Sequence, residues 1–203
     1  MAEATGLDRV FIDTSELFPF TLMDVLLSLS EDLLFTWVWT DDLLAEWERV
    51  IVDEGHRSPA SARSVSDAVR SFFGQYRIPA EVYRDKTTAD LSPDPYDRAH
   101  AAACVYGDVQ VLLTRNAKHF KSPRLPQAGV KVMSADQFLC RLYQRHPDAV
   151  TESIRRNAAT KTNPAVSVDQ VVARLANAGA PQFAAIIQNR RKDPMTGEID
   201  ATE

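Results

Sequence analysis

Three carboxylates and an amide stand where this sequence passes from one structural element to the next: Asp13, Glu46, Asp97 and Asn116. Asp13 directly follows Val10-Phe11-Ile12, an apolar run of β-formers that reads as a buried strand ending in the polar turn Asp13-Thr14-Ser15. A carboxylate there is costly to hold in apolar surroundings unless a cation or hydrogen-bond donors compensate it. The competing reading is a helix-capping or turn aspartate. Glu46 borders the apolar arc Leu43, Leu44, Trp47, Val50 and Ile51 of a helix expected over about 41–54. Glu48 borders the other side equally closely, so periodicity does not choose between them. Asp97 follows Asp94 by three residues, which fits either a helix-start box or a capping Asp94 with Asp97 aimed at the strand ends. Ala99, Ala101, Ala102 and Ala103 favour the second arrangement, because they let this helix approach the sheet closely. Asn116 closes Thr114-Arg115-Asn116 at a further strand end and offers a neutral oxygen or a donor, or serves the turn alone. Together these put oxygen ligands along one sheet edge, a set suited to Mg²⁺ or Mn²⁺ and not to Zn²⁺. The histidines His56, His100, His119 and His146 lack zinc-site spacing and are expected on the surface or in loops.

The elements that must position these groups alternate. After the first strand, Leu22–Leu34 repeats apolar residues at helical spacing, and Phe35-Thr36-Trp37-Val38-Trp39 reads as a second strand. Residues 57–76 read as one helix with Val65, Val69, Phe72 and Phe73 on one face. Asp94 suits the cap of the next helix, Pro95 its first position and Gly107 its stop. Val109–Thr114 and Val130–Met133 complete the strands, and a helix over Ala135–Arg145 closes the pattern. Strands alternating with helices over some 140 residues imply an α/β fold, an open and mostly parallel sheet flanked by helices. Ligands of such sheets bind beyond the carboxyl ends of the strands. The remainder carries no strand signal. Ser167-Val168-Asp169-Gln170 is a capping box with Val166 and Val171 as its hydrophobic staple, the helix ends at Gly179, and Pro181 starts another. The boundaries expected are 1–142 for the α/β domain and 143–203 for a helical C-terminal extension, polar and frayed from Lys192.

Composition bounds the class. With 203 residues, 45% hydrophobic and 25% charged, the chain is long enough for one domain plus an extension and is not a disordered sequence. No run approaches the ~20 apolar residues of a membrane span, and the start MAEATGLDR has no secretory pattern. Cys104 and Cys140 are expected as reduced helix side chains of a cytoplasmic protein. The net charge of −5 is uneven: residues 1–140 hold 14 basic against 21 acidic side chains, and residues 141–203 hold 9 against 7. Such an acidic front part is no general nucleic-acid binder by charge alone, and it suits a nuclease only if metal ions neutralise some of its acids.

The ordered set Phe11-Ile12-Asp13-Thr14-Ser15, Leu43-Leu44-Ala45-Glu46, Asp94-Pro95-Tyr96-Asp97-Arg98 and Leu113-Thr114-Arg115-Asn116 with Phe120 resembles the PIN-domain family, in particular VapC-type toxins of toxin–antitoxin pairs. Residues after 141, with Asn163-Pro164, are similar to the helical extension that some of these toxins carry. The resemblance implies an endoribonuclease that uses Mg²⁺ or Mn²⁺ to activate water against an RNA phosphodiester. It implies that Asp13, Glu46 and Asp97 bind the metal, that Ser15 and Thr114 support them beside Asp94, and that Asn116 belongs to the site. The family's fourth acid falls at Asn116 or His119, and neither is acidic here. That departure opens a second reading, a catalytically weak or inactive PIN domain that binds RNA or protein. Arg98, Arg115 and Lys118 are candidate phosphate contacts, with solvated surface charge as the alternative. A toxin implies a cognate antitoxin, which would set Arg or Lys against the carboxylates. The extension would cover the domain, form a homodimer contact or receive that partner, and the sequence leaves the three open. Haloacid-dehalogenase phosphotransferases also begin with a strand ending in aspartate, but they repeat an acid two positions on, where this chain has Ser15.

Overall fold

The computed structural model describes residues 6–192. Its centre is a four-stranded, wholly parallel sheet in the order β2-β1-β3-β4, with β1 Arg9–Ile12, β2 Thr36–Val38, β3 Val111–Leu113 and β4 Lys131–Met133. The inner strands are short and apolar because both faces are covered: Val10, Phe11, Ile12, Leu112 and Leu113 are fully buried. Helices α1 (Thr14–Leu17) and α2 (Phe20–Glu31) carry the chain from β1 to β2. Helices α3 (Asp41–Asp53), α4 (Pro59–Phe73) and α5 (Arg98–Tyr106), joined through 3₁₀ turns, carry it back past β1 to β3. A short α6 (Arg124–Gln127) leads to β4. The chain thus leaves β1 on one side and returns on the other, so the crevice of the fold lies at the carboxyl ends of β1 and β3. Asp13 and Thr114 sit at those two ends. The ladder runs through both, with Asp13 N–H donating to Leu113 O at 2.9 Å and Thr114 N–H to Met133 O at 3.0 Å.

Four more helices follow among the described residues: α7 (Ala135–Arg145), α8 (Pro147–Ala159), α9 (Val168–Asn177) and α10 (Pro181–Lys192). They cover the sheet domain and share its core. Helix α8 lies on α2, where Asn157 Nδ2 donates to Asp24 Oδ2 at 2.9 Å and Lys161 Nζ reaches the same oxygen at 2.6 Å. Helix α10 packs on α7 and α9, and the buried Asp136 of α7 caps it by accepting from the backbone of Gln182 at 3.2 Å and Phe183 at 2.9 Å. Among the described residues no helix is long and apolar enough to cross a membrane. Cys104 is buried and Cys140 half-buried, and both are free thiols.

Several expectations are corrected. The helix read over 57–76 ends at Phe73 and passes into a 3₁₀ turn over Gly74–Tyr76. Phe72, assigned to its buried face, is 73% exposed, because Val69 and Phe73 meet the core and Phe72 lies beyond the edge of that contact. Helix α5 starts at Arg98, not at Asp94. Asp94 instead closes a local turn by accepting the Tyr96 N–H at 3.0 Å, and Asp97 takes the capping position. Helix α8 has no counterpart in the sequence reading. The capping box Ser167/Gln170 is present as expected, and so is one at Ser134/Gln137. The expectation of a frayed tail falls, after Lys192, outside the described residues.

Candidate metal centre

Asp13 and Asp97 both occupy helix-capping positions, yet neither side chain accepts a capping hydrogen bond. Each carboxylate is turned into the crevice instead. On Asp13, Oδ2 receives two hydroxyls, Ser15 Oγ at 2.5 Å and Thr114 Oγ1 at 2.8 Å. These hydroxyls are themselves held by backbone N–H groups, Arg115 to Ser15 at 3.1 Å and Asn116 to Thr114 at 3.0 Å. The turn after β3 therefore orients Asp13 through two relays, and Oδ1 is left facing the ring of His100.

His100 is the residue the sequence reading missed. Expected on the surface, its side chain is 2% exposed on α5, with the Phe11 ring at 5.5 Å. Nδ1 stands 3.6 Å from Asp13 Oδ1 and has no hydrogen-bond partner; Nε2 stands 3.4 Å from Glu46 Oε2. His119 lies in the turn after β3, a loop position as expected, and its Nδ1 meets Asp97 Oδ2 at 2.7 Å and Asp94 Oδ2 at 3.6 Å. One signal for His100 is present in the sequence, since it follows Asp97 by three residues and so shares its helix face. His56 and His146 are exposed, as expected.

Donor atoms of Asp13, Asp97 and His100 all lie within 4.8 Å of one another, and so do those of Asp94, Asp97 and His119. Glu46 meets the other nitrogen of His100 from α3, while Glu48 turns away to Arg70 at 3.7 Å. Packing thus separates the two glutamates that periodicity left equivalent, though Glu46 stands outside the cluster of Asp13, Asp97 and His100. Among the remaining candidates, Asn116 has an exposed side chain and contributes through its backbone, and Lys118 is exposed. Arg98 Nε donates to Ser92 O at 3.0 Å. Arg115 is committed elsewhere: it pairs with the buried Glu16 at 3.0 Å and donates to the Ala178 carbonyl, tying the β3 turn to the end of α9.

The field of the site is set by burial against partners. Burial would raise the Asp13 carboxyl, but His100 and the two hydroxyls hold it below its ordinary value. Glu46 and Asp97 are both raised, first by burial and then by neighbouring carboxylates. Burial would depress the His100 imidazole, yet Asp13, Glu46 and Asp97 raise it above 6.5. Beyond the centre lies an open cleft of about 780 Å³ lined by Asp42, Glu46, Arg49, Ala99, His100 and Tyr96. Tyr96 is 84% exposed there.

The sequence profile of the PIN domain matches residues 9–118, more than half of the 203 residues. The chain belongs to the PIN-domain family. A second profile, the VapC50 C-terminal domain, matches residues 135–189, from the start of α7 into α10. Together they agree with a VapC-type PIN toxin carrying a C-terminal extension. PIN domains are in general nucleases, and their divalent-metal chemistry fits acidic clusters of the kind assembled here. Neither a search of curated proteins nor one of solved structures returned a match.

Proposed function

We propose that this PIN protein is a divalent-metal-dependent endoribonuclease and acts as the toxin of a toxin–antitoxin pair, with residues 1–142 as the nuclease and 143–203 as its extension. The observation that carries this is the meeting of Asp13 and Asp97, from separate elements, around one gap beside His100. A buried carboxylate and a half-buried one converging in this way repel one another and favour a cation between them.

The donor set fits a divalent ion: two carboxylates from the capping positions of α1 and α5 converge, a third stands at the rim, and a ring nitrogen without a hydrogen-bond partner is aimed into the gap. Asp13 and Asp97 would hold the ion, with Glu46 on the cleft side. When bound, such an ion lowers the pKa of water and neutralises charge growing on a phosphate. The chain supplies the rest. Ser15 and Thr114 fix Asp13 so that one oxygen stays free, and His119 fixes Asp97. Tyr96, exposed at the cleft, offers a face on which an unpaired base can stack, and Arg49 offers a phosphate contact. A cognate antitoxin would present Arg or Lys to the same carboxylates.

The test is cleavage of a structured RNA by purified protein with Mn²⁺ or Mg²⁺, beside Asp13→Asn and Asp97→Ala. Cleavage by the wild type, lost in both folded variants, is the expected result. An uncut RNA with either metal overturns the enzyme reading. The second reading, a silent RNA- or protein-binding PIN domain, is favoured by the imidazole of His119 where the resemblance places a fourth acid. It predicts RNA binding that survives Asp97→Ala, with no cleavage.

A further inference from the structure

We propose that His100 is itself a ligand of the bound ion through Nδ1, which makes the centre a mixed carboxylate–imidazole site selecting a first-row transition ion over Mg²⁺. This deepens the nuclease reading and rests on it in assuming that an ion occupies the gap.

The distances argue for it. A histidine buried to 2% beside the alanine-rich stretch Ala101–Ala103 should have its ring nitrogens satisfied. A ring held by hydrogen bonds to carboxylates closes to about 2.7–2.9 Å. Neither side of His100 does: the contacts are 3.6 Å to Asp13 and 3.4 Å to Glu46. Two atoms about 2.1 Å from a shared ion stand about 3.0–4.2 Å apart for bond angles between 90 and 180°. The 3.6 Å between Nδ1 and Asp13 Oδ1 is too long for a hydrogen bond and falls inside that range. It joins the one oxygen of Asp13 that Ser15 and Thr114 leave free to a buried ring nitrogen without a hydrogen-bond partner.

The opposite side completes the arrangement. With Nδ1 on the ion, the proton sits on Nε2, which faces Glu46. A carboxylate accepting from the distal ring nitrogen is the usual outer support of a metal-bound histidine, and it fixes the tautomer. Glu46, at 3.4 Å and short of a closed hydrogen bond, is the carboxylate placed to close on that nitrogen once the ring is held by an ion, and is then the positioning residue of the ring. The second cluster, Asp94, Asp97 and His119, carries no such argument, because its ring nitrogen already bonds Asp97 at 2.7 Å. The consequence is selectivity. Mg²⁺ takes oxygen ligands and retains water, whereas imidazole nitrogen strengthens binding from Mn²⁺ through Co²⁺ to Ni²⁺.

The full-length protein, stripped with chelator and reloaded with Mn²⁺, gives the direct measurement by pulsed electron paramagnetic resonance. One imidazole ¹⁴N coupling is expected, lost in His100→Gln and retained in His119→Gln. Titration calorimetry should show Co²⁺ affinity falling at least about 10-fold in His100→Gln, with Mg²⁺ affinity unchanged. No ¹⁴N coupling in the wild type, or its loss in His119→Gln alone, overturns the assignment. So does a joint rise of Co²⁺ and Mg²⁺ affinity in His100→Gln, the mark of a displaced counter-charge. If His100→Gln fails to fold, the wild type and His119→Gln decide the matter. The nuclease reading fails separately, when an ion binds through His100 and Asp13 yet no RNA is cut. Absence of saturable Mn²⁺ binding sinks both.

Discussion

Replacing Arg115 by Met separates what its sequence position implies from what its contacts do. By sequence it is a basic residue at a strand end, ready for an RNA phosphate. In the structure its guanidinium pairs with Glu16 at 3.0 Å and donates to the Ala178 carbonyl. Glu16 is 1% exposed, and its other oxygen accepts the Ala135 N–H at 3.0 Å. Removing one partner of a fully buried pair costs about 3–5 kcal/mol. Arg115 is 39% exposed and Glu16 keeps a backbone donor, so solvent reduces this to about 2 kcal/mol. For a chain of this size that is a fall in Tm of about 4–8 °C. Glu16→Gln removes the stranded charge, so Arg115→Met should cost less in that background, with a coupling of about 1–2 kcal/mol in a double-mutant cycle. Urea and thermal unfolding of the four proteins measure it. Additive costs refute the pairing argument. An unchanged Tm with weaker, less salt-dependent RNA binding would return Arg115 to the phosphate role.

Asp136→Ala uncaps α10 and leaves the N–H groups of Gln182 and Phe183 unpaired, so urea unfolding should show a loss of about 1–2 kcal/mol. Phe72→Ser, at a side chain 73% exposed, should change stability by less than about 0.5 kcal/mol; a larger loss would place it in the core after all. The metal-free centre should make stability pH-dependent in a defined sense. His100 is raised above 6.5, so its contribution is complete below that pH and lost as pH rises through the folded value. Urea midpoints in chelator should therefore fall above about pH 6.5, and saturating Mn²⁺ should remove the fall. A flat profile in chelator, with His100→Gln identical to wild type, refutes this account of the field.

How far the sequence could be read depended on whether a residue's neighbours lie close along the chain. Val10-Phe11-Ile12 and Val111-Leu112-Leu113 announce buried parallel strands because both faces demand apolar side chains, and Asp13 and Thr114 are marked simply by following them. Helix α8 was hidden by its polarity. Its apolar contacts are Val150, Ile154 and Ala158, spaced by four, and Pro147 stands at its first turn, but charged residues surround them. What holds α8 is distant: Asn157 and Lys161 converge on Asp24 of α2. No window of α8 contains that partner.

The centre shows the same division more sharply. Glu46 and Glu48 are equivalent on a helical wheel, and only the packing of α4 against one flank of α3 and α5 against the other separates them. Glu48 is drawn to Arg70 and Glu46 is left beside His100. His100 was obscured for a different reason. Its helix is short, with alanine at four of nine positions and buried residues round most of its circumference, so no polar stripe marks the side that meets the candidate metal centre. A lone histidine on such a helix reads as incidental until the sheet brings Asp13 to its ring. The three-residue step from Asp97 to His100 was the one local trace of that face. It gains meaning only when β1 and β3 lie side by side, since the first carboxylate of the centre comes from the end of one and its hydroxyl support from the end of the other.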